Sequence, residues 1–172
     1  MQKHLKGFCR FFSIILYNNK VRIANDILIP ELARLIAEEK EVRFTPSGVS
    51  MRPFIEGDKD SVIISPLAGK PRKGDILLAH ARTRDGGSTY VLHRLIRIET
   101  RGEAFSYVLM GDGNLSGEET CTEKDIIGRV SRIETPSGRR KPLTRGRLWY
   151  WLLPCRPFLL KLYRHTSLKW LY

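Results

Sequence analysis

Three kinds of side chain in this sequence have chemistry that fits together: an alcohol, an imidazole and a carboxylate. Ser50 sits in the turn-like stretch Gly48-Val-Ser-Met-Arg-Pro53, followed closely by Gly57-Asp58. His93 stands in an otherwise apolar run, Val91-Leu-His-Arg-Leu-Ile96. Asp112 lies in the loop Gly111-Asp-Gly-Asn114, with Glu118 and Glu119 a few residues on. A serine hydroxyl is a poor nucleophile until a base takes its proton. Histidine titrates near neutrality and can be that base. A carboxylate can hold the imidazole in one tautomer and offset its charge once it is protonated. The chain therefore offers a nucleophile, a base and an orienter, in that order. Each also has a plain structural reading: a turn serine, a core histidine bonded to backbone, and a turn aspartate bonding its own backbone.

The elements that must position these groups are mostly short β segments. Around the serine, Gly48 lets backbone approach closely, Pro53 stops any helix, and Gly57-Asp58 marks a turn. Upstream, residues 25–39 predict a helix, capped by Asn25 or Asp26, with Pro30 in its first turn. Ile29, Leu32, Leu35 and Ile36 form its apolar stripe. From Glu41 to about Ile133 the pattern changes. Val42–Phe44, Ser61–Ser65, Asp75–Ala79, Tyr90–Glu99, Phe105–Met110 and Ile126–Ile133 predict strands. The loop from Pro66 to Gly74, the hairpin turn Arg84–Ser88, Arg101-Gly102 and the Gly111–Asn114 loop separate them. This spacing predicts a mainly β fold, a folded-over antiparallel sheet or small barrel with one N-terminal helix, rather than βαβ units. The chain divides into an N-terminal helical segment (1–40), a β domain with the chemistry (41–134) and a C-terminal tail (135–172).

At 172 residues the chain is one domain, or one domain plus appendages. Its net charge of +12 is unevenly placed. Residues 1–20 hold four basic residues and residues 135–172 nine, neither with an acid, so the middle is near neutral. Pro136 to Pro142 predicts a linker, and all three tryptophans lie beyond it. Such a basic, aromatic tail suits an anionic membrane surface or docking onto the protein's own body, with nucleic acid the less favoured partner. The apolar run of residues 8–17 is too short to span a bilayer and is read as packed on the domain, or lying on a membrane surface. With no apolar span and no cleavable signal, the expectation is a cytoplasmic protein, at most peripheral on a membrane. The scattered Cys9, Cys121 and Cys155 make no disulfide framework and no metal-finger spacing.

Taken together, four segments resemble the boxes of type I signal peptidases and their relatives, the LexA-like self-cleaving repressors. These are Gly48–Asp58, Lys73-Gly-Asp-Ile-Leu-Leu78, Val91–Ile96 and Leu109-Met-Gly-Asp-Gly-Asn114, with Gly128-Arg-Val130 fitting the strand that follows. The histidine box resembles the endoplasmic-reticulum type, in which histidine replaces the bacterial lysine base. The resemblance covers roughly residues 42–133 and implies a LexA/signal-peptidase-like coiled sheet. It implies a serine endopeptidase with Ser50 as nucleophile, His93 as general base, and Asp112 or Glu118 as third member, with Glu119 next to the latter. Gly48, Val49, Met51 and Pro53 would line the peptide site, and the Ser50 amide would help bind the oxyanion. The substrate would be an extended polypeptide with small residues beside the cut, and no metal or organic cofactor is implied. Two departures stand out. Many such enzymes place a serine where Gly48 stands, and long membrane helices or an N-terminal DNA-binding domain usually accompany the catalytic part.

Overall fold

The computed structural model describes residues 11–16, 19–101, 104–143 and 151–168. Among the described residues the architecture is mainly β: ten strands in an antiparallel sheet, with two α-helices. The strands are β1 (Phe11–Leu16), β2 (Asn19–Ala24), β3 (Val42–Pro46), β4 (Ser61–Ser65), β5 (Ile76–Arg82), β6 (Ser88–Arg101), β7 (Ala104–Met110), β8 (Glu119–Cys121), β9 (Ile126–Glu134) and β10 (Arg140–Lys141). Helix α1 spans Asn25–Ala37 and α2 spans Arg156–Leu168. The order across the sheet is β2-β1-β3-β4-β9-β5-β6-β7-β8, with β10 also on β9.

The sheet closes on itself at one end. β5 pairs with β6, β6 with β7 and β7 with β8, and β8 returns to β5 through Arg82 opposite Thr120. The four strands make a small barrel. Inside it lie Leu77, Ala79, Ala81, Val91, Leu95, Tyr107, Leu109 and Cys121. A second, larger core lies between α1 and the rest of the sheet. It joins Leu28, Ile29, Leu32 and Ile36 of the helix to Phe44, Val62, Ile64, Leu92, Val130 and Ile133. Alternation along β5 serves both cores: Ile76 and Leu78 face α1, and Leu77, Ala79 and Ala81 face into the barrel. Fully burying one such aliphatic side chain stabilises by roughly 1.5–3 kcal/mol. At Gly128 of β9, helix and strands pack closely. A Cβ there would meet Ile64 Cγ2 at 2.6 Å and Ser65 O at 2.8 Å, with Ile36 Cδ1 at 3.5 Å.

The structure differs from the sequence reading at three places outside the site. Residues 11–16 and 19–24, read as part of a helical segment, instead form a β-hairpin that pairs with β3 at Thr45 and Pro46. Pro30 falls beyond the first turn of α1, where it costs the carbonyl of Asp26 its N–H partner. The Pro136–Pro142 stretch is in part a hairpin that lays β10 back on β9, closed by Thr135 N–H to the Arg139 carbonyl at 2.9 Å.

Candidate functional site

Ser50 sits in a turn closed by backbone hydrogen bonds, Arg52 N–H on the Val49 carbonyl (3.1 Å) and Ile55 N–H on the Met51 carbonyl (3.0 Å). The base of the loop is a crossing of two glycines: a Cβ on Gly57 would stand 1.9 Å from the Gly48 carbonyl oxygen. Gly48 itself takes φ 91°, a region other residues rarely adopt. Asp58 N–H then reaches the Pro46 carbonyl at 2.8 Å. Buried Asp60 accepts from Glu56 N–H (2.6 Å) and from Lys141 Nζ (2.6 Å). The glycine–serine–glycine spacing seen in the sequence is therefore a requirement of loop closure.

The loop Gly111–Asn114 packs directly on this turn. Gly113 N–H donates to the Ser50 carbonyl at 2.7 Å. A Cβ on Gly113 would stand 2.8 Å from the Val49 carbonyl oxygen. At Gly111 three groups converge. A Cβ there would lie 2.6 Å from Ser50 O, 2.9 Å from Asn114 Nδ2 and 3.0 Å from His93 Nε2. A side chain at Gly111 would therefore collide with both the Ser50 carbonyl and the His93 ring.

His93 belongs to the barrel. Alternation puts it on the face of Val91 and Leu95, opposite Leu77 in register. Glu119 stands opposite Leu109 at the start of β8, so it points into the barrel too. His93 Nδ1 and Glu119 Oε2 are 3.0 Å apart, and both side chains are buried. An ionised Glu119 accepts from Nδ1–H, which leaves Nε2 on the side of Gly111.

The next residue, Arg94, faces the other way. Its guanidinium grips Asp112 with both prongs, Nε to Oδ1 at 2.8 Å and Nη2 to Oδ2 at 2.6 Å. Nη1 donates to the Gly74 carbonyl at 2.7 Å, and the group lies over the Phe54 ring at 5.5 Å. Asp75 continues this brace, accepting from Arg72 N–H (3.0 Å) while its carbonyl takes Leu95 N–H (2.8 Å).

Of the carboxylates named from sequence, neither Asp112 nor Glu118 is the one against His93. Asp112 is committed to Arg94, and Glu118 pairs with Arg97 on the surface at 3.0 Å. The carboxylate on the imidazole is Glu119, one residue past Glu118, because neighbours in a strand point to opposite faces. Glu119 and Cys121 share the inward face, while exposed Thr120 and Glu118 take the outward one. Gly48 and Val49 are exposed beside Ser50, and Pro53 is half-buried. Met51 is buried in the α1-side core with Ile55, beneath the serine rather than at an open cleft.

Arg156, which sequence reasoning placed in the tail, also reaches this region. It donates to the carbonyls of Gly111 and, at 3.1 Å, Asp112. Burial first, and then the Arg94 cation, lowers its proton affinity from the ordinary guanidinium value, while Asp112 acts in the opposite sense.

Serine turn, imidazole, buried carboxylate and glycine loop thus form one constellation at the end of the small barrel. No family model, curated protein or solved structure matches this chain.

Proposed function

We propose that the chain is a serine endopeptidase of the signal-peptidase/LexA-like class, with Ser50 as nucleophile, His93 as general base and Glu119 as the carboxylate that orients it. The observation that supports this reading is the polarity of the imidazole: Nδ1 on Glu119 at 3.0 Å, Nε2 on the side where Gly111 brings Ser50. In the mechanism, Nε2 takes the Ser50 hydroxyl proton as Oγ attacks a peptide carbonyl. Glu119 offsets the imidazolium charge. The proton then passes to the leaving amine, an acyl-enzyme remains, and water attacks it with His93 again as base. The Ser50 amide contributes to the oxyanion site, and Gly48 adds no hydroxyl donor to it. A missing side-chain donor costs about 10²–10³ in rate where nothing replaces it. The substrate is an extended polypeptide lying beside Gly48 and Val49 and adding to a strand edge. The finer fold assignment, a LexA/signal-peptidase-like coiled sheet, belongs to the same proposal.

A fluorophosphonate probe tests it. Oγ–P forms, P–F breaks, fluoride leaves and the hydroxyl proton goes to His93. The expected result is a single adduct on Ser50, absent in Ser50→Ala and strongly slowed in His93→Ala. A wild-type chain that stays unlabelled from pH 5 to 9 would leave the second reading, a non-catalytic peptide binder, whose peptide binding survives Ser50→Ala.

The tail's outward side favours a partner for this enzyme. Trp151 is 78% exposed, Phe158 69% and Leu162 53%, in a region with no acid. In this proposal that side rests on an anionic membrane surface, with the aromatic rings at headgroup level. Among the described residues no helix is long and apolar enough to cross a membrane. Co-sedimentation with phosphatidylglycerol vesicles, lost in Phe158→Ser/Leu162→Ser and absent with phosphatidylcholine, is the expected outcome. Equal binding to both lipids, or none to either, overturns it.

A further inference from the structure

The first residue of α2 is a buried cation. The Arg156 side chain lies inward, the residue being 3% exposed, and Leu160 one turn on is 1% exposed, so these two seat the helix on the β body. Arg156 Nη2 donates to the Gly111 carbonyl, Nε to the Asp112 carbonyl at 3.1 Å, and Nη1 approaches Met110 Sδ at 3.4 Å. Three consecutive residues are thus gathered by one planar group. Their other side is the surface against which the site is built: Gly113 N–H holds the Ser50 carbonyl, and Gly111 lies under His93 Nε2. The two guanidiniums divide Asp112 between them, Arg94 taking its carboxylate and Arg156 its carbonyl.

We infer that Arg156 is a positioning residue for the candidate site: it fixes the 110–113 loop from outside, so that the loop fixes Ser50 and His93 from inside. This rests on the peptidase reading and adds to it that the C-terminal helix is part of the catalytic apparatus. The geometry demands a planar group with several donors in fixed directions. An ammonium at the same place is a compact point donor that cannot span two carbonyls and the sulfur at once. A misplacement of the order of 1 Å at reacting groups costs about 10²-fold in rate.

The test uses the full chain as wild type, Arg156→Lys and Arg156→Ala, with two readouts. Amide hydrogen exchange reports the loop at Gly113 and Asn114, with Val62 and Val130 as core references. The fluorophosphonate labelling rate reports Ser50. In Arg156→Ala, loop exchange is expected to rise at least tenfold with the core references unchanged, and labelling to slow at least tenfold. Arg156→Lys is expected to resemble it. Millimolar guanidinium, far below denaturing levels, is expected to reverse part of both effects in the alanine variant. Should Arg156→Ala not fold, as the core amides would reveal, Arg156→Lys carries the same comparison. Unchanged loop exchange in the variants overturns the inference, as does a loosened loop with an unaltered labelling rate. Variants whose loop responds as described, beside a wild-type chain whose Ser50 never labels, remove the peptidase reading and leave the loop-holding role of Arg156 in place.

Discussion

Two buried polar pairs start from adjacent residues of β6 and run to opposite faces of it. On the α1 side, Arg94 meets Asp112 with two short bonds, spends its third direction on the Gly74 carbonyl and covers Phe54. On the barrel side, His93 meets Glu119 with one bond and presents its second nitrogen to the serine turn. The first pair is bidentate and adds a third bond to a carbonyl, which suits a brace between three loops. The second joins a ring to one carboxylate oxygen through a single bond, which suits the general base of the proposed peptidase. The number of bonds distinguishes the two pairs, and burial does not, since both are hidden from water.

Substitutions at the two pairs should therefore fail in different ways. The largest effect belongs to Glu119→Gln. The amide can present a donor to Nδ1 and so favour the wrong tautomer, and probe labelling of Ser50 should fall roughly 10³–10⁴-fold with little change in thermal midpoint. Arg94→Met should do the reverse, destabilising by about 3–5 kcal/mol in urea melts because it strands a buried carboxylate. If Glu119→Gln instead unfolds the chain while Arg94→Met removes only labelling, the assignment of roles must be exchanged.

A smaller effect probes the barrel interior itself. Burial, with Asp125 adding to it, pushes the Cys121 thiol up to about 12. The neutral thiol is the folded form's preference. Stability from this group is therefore full below the ordinary thiol range, about pH 8.5, and lost as pH rises toward the raised value. At neutral pH, mass-mapped alkylation should reach exposed Cys155 at least about tenfold faster than Cys121. Equal rates would mean that the barrel opens readily around His93 and Glu119. The smallest effect sharpens the contrast between neighbouring glutamates. Glu118→Gln removes only a surface pair with Arg97 and should change stability by no more than about 1 kcal/mol, with labelling unaltered.

Much of this arrangement could be read from the residues. The β-branched run at Ser61–Ser65, the helix stripe from Ile29 to Ile36 and the glycine turn around Ser50 each state a local requirement that the fold obeys. What could not be read depended on partners far away in the chain. Choosing between Glu118 and Glu119 is a question of strand register, and a shift of one residue moves a carboxylate from solvent to the barrel interior. Asp112 looked like a catalytic candidate because its glycine loop is adjacent to the chemistry, whereas the fork of Arg94 that occupies it lies 18 residues earlier. The hairpin of β1 and β2 was hidden because an apolar stretch of that length fits a strand, a buried helix or a surface segment equally well. Arg156 was counted among charges bound for a surface, and composition carries no information on which one of many cations turns inward.

The dispersal of the contributing residues has a consequence for a chain made from its N-terminus. Ser50 leaves the ribosome first, His93 later, then the glycine loop with Glu119, and Arg156 after all of them. None of these groups is reactive by itself, and the strand closure that brings β8 onto β5 comes only after the alcohol and the ring have both been synthesised. The groups of the candidate site can therefore be brought together only late in synthesis, once β8 has been made and has paired with β7 and β5.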